Sequence, residues 1–128
     1  MGEIIRVVCD ACNYEKQLKT GAGLMSINPR VVEETLKDED LIQWKSLQEE
    51  DRVRFFSWVY EPGYCEECKE IVSCFKVDIK TVDGESLWLG GRCGKCSCKV
   101  KLNKKVTDMK CPVCGKASVA KNIVGHWD

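Results

Sequence analysis

Histidine is nearly missing from this chain: of 128 residues only His126 is one. That scarcity removes the usual proton shuttle of hydrolytic and acid–base sites, and no Ser/His/Asp or paired-carboxylate constellation stands at a readable spacing. No catalytic residues, and no enzyme, are therefore expected. Long apolar runs are missing as well. None approaches the roughly 18 to 20 residues that a membrane-spanning helix needs, so no membrane partner is expected. The opening stretch MGEIIRVVCDAC places Glu3 and Arg6 where the apolar part of a secretory leader would build up, which points to a cytoplasmic chain. Net charge is absent overall, with 20 Lys and Arg against 20 Asp and Glu.

Cysteine, in contrast, is abundant. Ten of them in a reducing compartment point to metal binding or thiol chemistry rather than a disulfide framework. Eight fall into four CxxC pairs: Cys9/Cys12 in CDAC, Cys65/Cys68 in CEEC, Cys93/Cys96 in CGKC and Cys111/Cys114 in CPVC. Two thiolates so spaced wrap one tight turn and aim both sulfurs at one ion about 2.3 Å away, and two turns complete a tetrahedral S4 site. Four pairs thus predict two ions. Zinc is the expectation, with iron as the other metal that suits four sulfurs. A thioredoxin-like redox pair would need one CxxC at a helix N-terminus after a strand; here each pair is flanked by turns or strand-like sequence.

How the pairs combine is less determined. Cys93/Cys96 and Cys111/Cys114 are 14 residues apart, close to a ribbon spacing of about 15 to 20, so they form the expected second site. By elimination Cys9, Cys12, Cys65 and Cys68 form the first. An interleaved arrangement, or a Cys65/Cys68 with Cys93/Cys96 site across a hairpin, stays open. The residue after the second cysteine of such a turn favours positive φ, which suits Gly115 and Asn13 but not Lys69 or Ser97. One knuckle of each site is therefore expected to use another turn. Of the two leftover cysteines, Cys98 shares an alternating face with Val100 and Leu102 and is expected to pack as a small hydrophobe. Cys74 shares the side of Lys76, Asp78 and Lys80 in EIVSCFKVDIK and reads as a bystander, although either extra thiol could serve as a ligand.

Around the knuckles, EIIRVV and NYEKQLKT read as strands and TGAGLM as a turn. Asn28 and Pro29 open one short helix. Asp40, in a capping box with Gln43, opens a second with Leu41, Trp44 and Leu47 on one stripe, which is expected to be core. RVRFFSWVY is an aromatic strand ended by the turn residues of EPGY, and EIVSCFKVDIK and ESLWLGG form a hairpin about Asp83-Gly84. His126 is not expected to be a ligand, since both sites are complete without it.

The order of CDACNYEK, a Gly-x-Gly loop, a helical segment, CEEC, a hairpin, CGKC, CPVCGK and a terminal Trp127-Asp128 resembles a family of uncharacterised bacterial zinc-ribbon proteins found especially among Firmicutes. The chain departs from that pattern at Asn13, where glycine is commonest, and at Cys74. The resemblance implies architecture and brings no established activity. The expected fold is small α+β and metal-stabilised, with two zinc-ribbon (β-hairpin knuckle) sites and a helical insertion over about 28–50 between the knuckles of the first. Residues 1–91 would form the first ribbon and 92–128 the C-terminal one.

A closed S4 centre holds no water and so supplies neither a Lewis acid nor a hydroxide, which makes the metal structural. Charge then suggests the partner. Residues 1–91 carry 11 Lys and Arg against 18 Asp and Glu, whereas 92–128 carry 9 against 2. Lys99, Lys101, Lys104, Lys105 and Lys110, with Lys95 and Lys116, crowd the second ribbon and are candidates for phosphate contacts, with Trp88 as a stacking surface. They would equally balance a zinc-thiolate centre. The leading expectation is a zinc-binding module that mediates nucleic-acid or nucleoprotein interaction; the alternatives are a protein–protein scaffold built on the helical insertion, or rubredoxin-like iron electron transfer.

Overall fold

A computed structural model describes residues 2–22, 27–103, 105–115 and 119–127. The Gly23 to Met25 part of the Gly-x-Gly loop, Lys104, Lys116 and Asp128 lie outside the described residues. Strands dominate, in two antiparallel sheets, with two helices between them in sequence.

The first sheet starts from β1 (Gly2–Val8), whose Ile5 and Val7 point inward while the chain turns back at the CDAC knuckle into β2 (Glu15–Thr20). On its other side β1 pairs with β7 (Ala120–Trp127), from Val8 opposite Ala120 to Gly2 opposite Trp127. The order is β2-β1-β7. Residues 120–127 carry no strand alternation in the sequence, and Lys121 through Val124 are all exposed. The second sheet has the order β5-β4-β3-β6, from β3 (Val53–Cys65), β4 (Glu70–Thr81), β5 (Ser86–Gly90) and the two-residue β6 (Lys101–Leu102).

EPGY is no turn: β3 runs on through Pro62 and Gly63 to Cys65. Gly63 serves close approach instead, since a Cβ there would stand 2.5 Å from Val100 Cγ1 and 2.9 Å from the Lys101 carbonyl, where β6 crosses β3. Asp83-Gly84 does turn the β4–β5 hairpin, with Gly84 at φ +86°. A two-way backbone bridge between Gly21 and Tyr60 joins the sheets, and the Ser73 hydroxyl donates to the Lys19 carbonyl.

Helix α1 (Pro29–Thr35) begins where expected, with the Asn28 side chain accepting from the Arg30 N–H at 2.9 Å. The second helix does not. α2 spans Asp38–Glu49 with Lys37 at its N-cap and no side-chain cap bond, so Asp40 lies inside the first turn. Its carboxylate is buried and accepts from Arg92 Nε at 2.8 Å, the residue just before Cys93. The Trp44 stripe is core: Trp44 and Leu47 pack with Val32 and Leu36 against Trp58, Val77, Ile79 and Leu89 of the second sheet. Two further clusters surround the cysteines. One holds Ile5, Val7, Leu18, Ile71, Val106, Met109 and Val119 with Cys9 and Cys111, the other Val72, Cys74 and Val100 with Cys65 and Cys93.

Because Trp44 has no exposed surface while Ile42 is 70% exposed, truncation should separate them sharply. Trp44→Ala should cost about 3–5 kcal/mol and Ile42→Ala within about 0.5 kcal/mol in denaturant unfolding of the metal-loaded protein. Equal losses would show that the helices do not dock on the sheet.

Candidate metal centres

The two sheets converge the eight paired cysteines into two groups, Cys9, Cys12, Cys111 and Cys114, and Cys65, Cys68, Cys93 and Cys96, with the sulfurs of each group within 4.8 Å of one another. This corrects the expected combination. Cys93/Cys96 joins Cys65/Cys68 across the hairpin, and the ends of the paired region close on each other, so the inner group is nested inside the outer one. Each group takes one pair from residues 1–91 and one from 92–128.

The physical reason is strand register. Between Cys96 and Cys111 the described chain contains a bridge from Lys99 back to Arg92, β6, which pairs with Gly63 and Tyr64 of β3, and a 3-10 turn over Val106–Asp108. Nothing there folds CPVC back onto CGKC. Instead Cys9 follows β1 directly, β1 lies beside β7, and the CPVC knuckle precedes β7, with Val119 donating to the Met109 carbonyl. For the inner group, β3 and β4 stay paired up to Cys65 opposite Glu70. Gly91 then donates to Phe75 at 2.8 Å and leads the chain into CGKC.

The CDAC, CGKC and CPVC knuckles are closed locally by backbone. Cys9 donates to Tyr14 and Cys93 to Cys98 at 3.0 and 2.9 Å, while Ser97 donates to Cys93 and Gly115 to Cys111, both at 2.9 Å. Backbone N–H groups also reach sulfur: Cys68 to Cys65 at 3.5 Å, Lys95 to Cys93 at 3.4 Å and Val113 to Cys111 at 3.4 Å. Such donors stabilise thiolate over thiol. Lys69 and Ser97, expected to avoid positive φ, adopt φ of 53° and 61° in the position where Gly115 has 64°, and Asn13 is not left-handed. Knuckle closure therefore overrides the conformational preference of two L-residues.

The donor set fits a tetrahedral dication. Four sulfurs each about 2.3 Å from one ion stand about 3.8 Å apart. Observed separations are 3.6 Å for Cys9–Cys114, 3.5 Å for Cys12–Cys111, 3.5 Å for Cys65–Cys96 and 3.8 Å for Cys68–Cys93. All ten cysteines are free thiols, and these gaps far exceed a disulfide bond of about 2.05 Å.

Proton affinities within each group are split. At Cys68 the neighbouring Cys96 thiol, burial and the Cys93 thiol push the group up to about 12. Cys12 also reaches about 12: a backbone bond at Tyr14 pulls down, but burial and the Cys111, Cys9 and Cys114 thiols outweigh it. In the other direction, burial opposes ionisation of Cys93, yet the backbone at Cys96 and Lys95 brings it to about 7. Cys111 falls to about 6, against burial, through the backbone at Cys114 and Val113. Thus a metal-free group holds at least one thiol protonated near neutrality.

The two leftover cysteines exchange the roles expected of them. Cys98 is exposed, although its carbonyl accepts from Cys93 and the next residue, Lys99, bridges to Arg92. Cys74 is fully buried between Val72, Val100, Cys65 and Cys93, and burial pushes its thiol to about 12. Its side of β4 is covered at that end by the CGKC segment. His126 lies in β7 opposite Glu3, away from both groups.

Of the lysines, Lys99, Lys101, Lys105 and Lys110 are exposed. Lys99 sets its ammonium 5.2 Å from the ring centre of Trp88, itself 42% exposed, and Lys76 reaches the same ring at 5.4 Å. Lys95 is different: it binds Glu70 at 2.8 Å, and Glu70 also takes Lys16 at 3.2 Å. Lys95 and Lys16 together hold the Glu70 carboxyl below the usual range. Neither this bridge nor Arg92, which joins Asp40 to the Ser97 carbonyl at 3.2 Å, had a signal in the sequence, since both are long-range charge pairs.

Two measurements check the grouping. Cys9→Ser and Cys111→Ser should release the same ion, and Cys65→Ser and Cys93→Ser the other, in native mass spectra of the single and double variants. Loss of a common ion from Cys93→Ser and Cys111→Ser would restore the sequential arrangement. Metal must also displace protons. Between about pH 7 and 12 each ion releases at least one, from Cys12 or Cys68, so apparent affinity should rise at least about tenfold per pH unit. Below about pH 6, where Cys111 also binds a proton, it should fall at least about a hundredfold per unit for the outer group. Chelator competition across pH tests this.

No family model, curated protein or solved structure matches this chain. The geometry itself gives a small α+β chain, mostly strands with two helices, whose two four-cysteine groups could each hold a metal ion and fit a zinc-ribbon-like arrangement.

Proposed function

We propose that this protein is a structural zinc-binding module, with one Zn²⁺ held by Cys9, Cys12, Cys111 and Cys114 and a second by Cys65, Cys68, Cys93 and Cys96, that presents a lysine-bearing surface to nucleic acid or nucleoprotein. The observation that carries the metal reading is the tetrahedral spacing of sulfurs in both groups. Four thiolates saturate the ion, so the metal would hold strands together rather than act on a substrate.

The interaction reading rests on Lys99, Lys101, Lys105 and Lys110, which are exposed and, among the described residues, have no carboxylate within ion-pair distance. Charge balance accounts for fewer lysines than their number suggested: a closed centre carries about −2, and the lysine inside the inner knuckle, Lys95, is engaged by Glu70. The Trp44 stripe is buried in the core, so that stripe offers no exposed apolar face to a scaffold partner. Iron would fit the same sulfurs, and strong visible colour in purified protein would report it. The ten free thiols suit a reducing, cytoplasmic setting. No helix among the described residues is long and apolar enough to cross a membrane. The family of bacterial zinc-ribbon proteins that the motifs resemble belongs to this same proposal.

Elemental analysis should find two zinc ions per chain and no iron, and the zinc-loaded protein should be retained on a nucleic-acid column at low salt. Retention should weaken when Lys101, Lys105 and Lys110 are changed together to Glu. Iron in place of zinc would overturn the metal assignment, and absence of retention would overturn the interaction.

A further inference from the structure

The geometry points to the cleft between β6 and the 111–115 knuckle as the seat of a short unpaired nucleic-acid strand, with bases against its apolar floor and phosphates on Lys101 and Lys110; this rests on the nucleic-acid reading above. The cleft has a volume of about 550 Å³, within the range of about 300 to 1,000 Å³ typical of ligand sites. Its floor combines Tyr64, Leu102, Met109, Pro112 and Val113, the last 71% exposed. Lys101, Lys110 and Asn103 supply its polar groups, and no Asp or Glu among the described residues lines it.

Chemistry narrows the occupant. A cation-rimmed cavity free of carboxylates selects an anion. An apolar floor beside those cations selects one whose charged groups alternate with flat, weakly polar faces, which describes a strand with splayed bases. A duplex hides its base faces and offers only phosphates. It would also meet the excess of Asp and Glu over Lys and Arg in residues 1–91. The hollow on the other side of β6 does not compete, because Glu66 and Glu67 share its lining with Lys99 and Lys101. Nor does main-chain pairing explain the site, since β6 has only two residues and a strand added to it would gain few backbone bonds. The closed metal group forms one wall through Cys111 and Cys114, so the ion would act by holding the Pro112–Val113 tip in place.

The test uses the zinc-loaded full chain and fluorescence anisotropy with labelled oligothymidylate of about 12 nucleotides, beside a duplex of the same length. Variants are Lys101→Gln, Lys110→Gln and Val113→Asp, with exposed Lys121→Gln on β7 as control, and the zinc content of each is measured. The strand should bind at least about tenfold tighter than the duplex. Each cleft lysine variant should weaken it about three- to tenfold and lower the salt slope by about 0.7 between about 50 and 200 mM. Val113→Asp should weaken binding while keeping both ions, and Lys121→Gln should change nothing. Equal affinity for duplex, or cleft variants that match the parent while the parent binds, would overturn the cleft assignment and leave the nucleic-acid reading standing. A parent protein that binds neither probe would overturn both and leave a peptide as the occupant.

Discussion

Convergence of four sulfurs onto one point, achieved twice, is the constraint from which the rest of this architecture follows. β1 and β7 stand at opposite ends of the sequence, and Cys12 and Cys111 are 99 positions apart. Chain entropy does not forbid so long a closure. Relative to the inner group, where Cys68 and Cys93 are 25 positions apart, the extra cost is only about 1.2 kcal/mol on a logarithmic loop law. Structural zinc in small domains contributes about 10–16 kcal/mol at neutral pH. An ion of that affinity can therefore tie distant segments almost as readily as adjacent ones, and the separation in sequence stops being a guide to the separation in space.

The interior is divided accordingly. Two of the three apolar clusters include cysteines of the groups themselves, so sulfurs that could hold an ion are also packing surface. The third, between the helices and the second sheet, contains none and is built on Trp44, Trp58 and the aliphatic residues around them. Aromatic contacts carry it toward the first sheet. Trp127 lies nearly parallel to Trp58 with ring centres 6.0 Å apart, and its N–H donates to the Thr20 carbonyl at 3.1 Å. Charge supplies the remaining ties, with Arg92 linking helix to inner knuckle and Glu70 receiving a lysine from each side. The partly exposed Glu70 pairs set orientation more than stability, whereas the Asp40 carboxylate is buried and depends on Arg92 for its partner.

What could be read from residues alone was what is local. The CxxC turns, the Asn28–Pro29 helix start, the Asp83-Gly84 hairpin and the buried Trp44 stripe each depend on a few neighbouring positions. The grouping of the pairs depends instead on which strands meet, and residue counting between CGKC and CPVC has no access to that. Pro62-Gly63 shows a related ambiguity: the dipeptide that so often turns a chain also permits another strand to cross closely, and only the presence of Val100 and Lys101 decides between them. Cys98 differs because its segment makes only an isolated bridge, Lys99 to Arg92, before β6 begins at Lys101, and there Val100 is buried while Cys98 stays on the surface. Cys74 escaped because the polar residues around it describe one end of β4 while the other end is covered.

Nesting has a consequence for how this protein is made. A ribosome extends a chain at about 5–20 residues per second, so Cys9 and Cys12 emerge several seconds or more before Cys111 and Cys114. During that interval the inner pairs have already appeared. With metal bound as proposed, the four thiols of residues 65–96 would collect their ion first, while the earliest two would still wait for their partners. Order of appearance and order of completion would thus be reversed: the earlier outer knuckle would belong to the later centre to close.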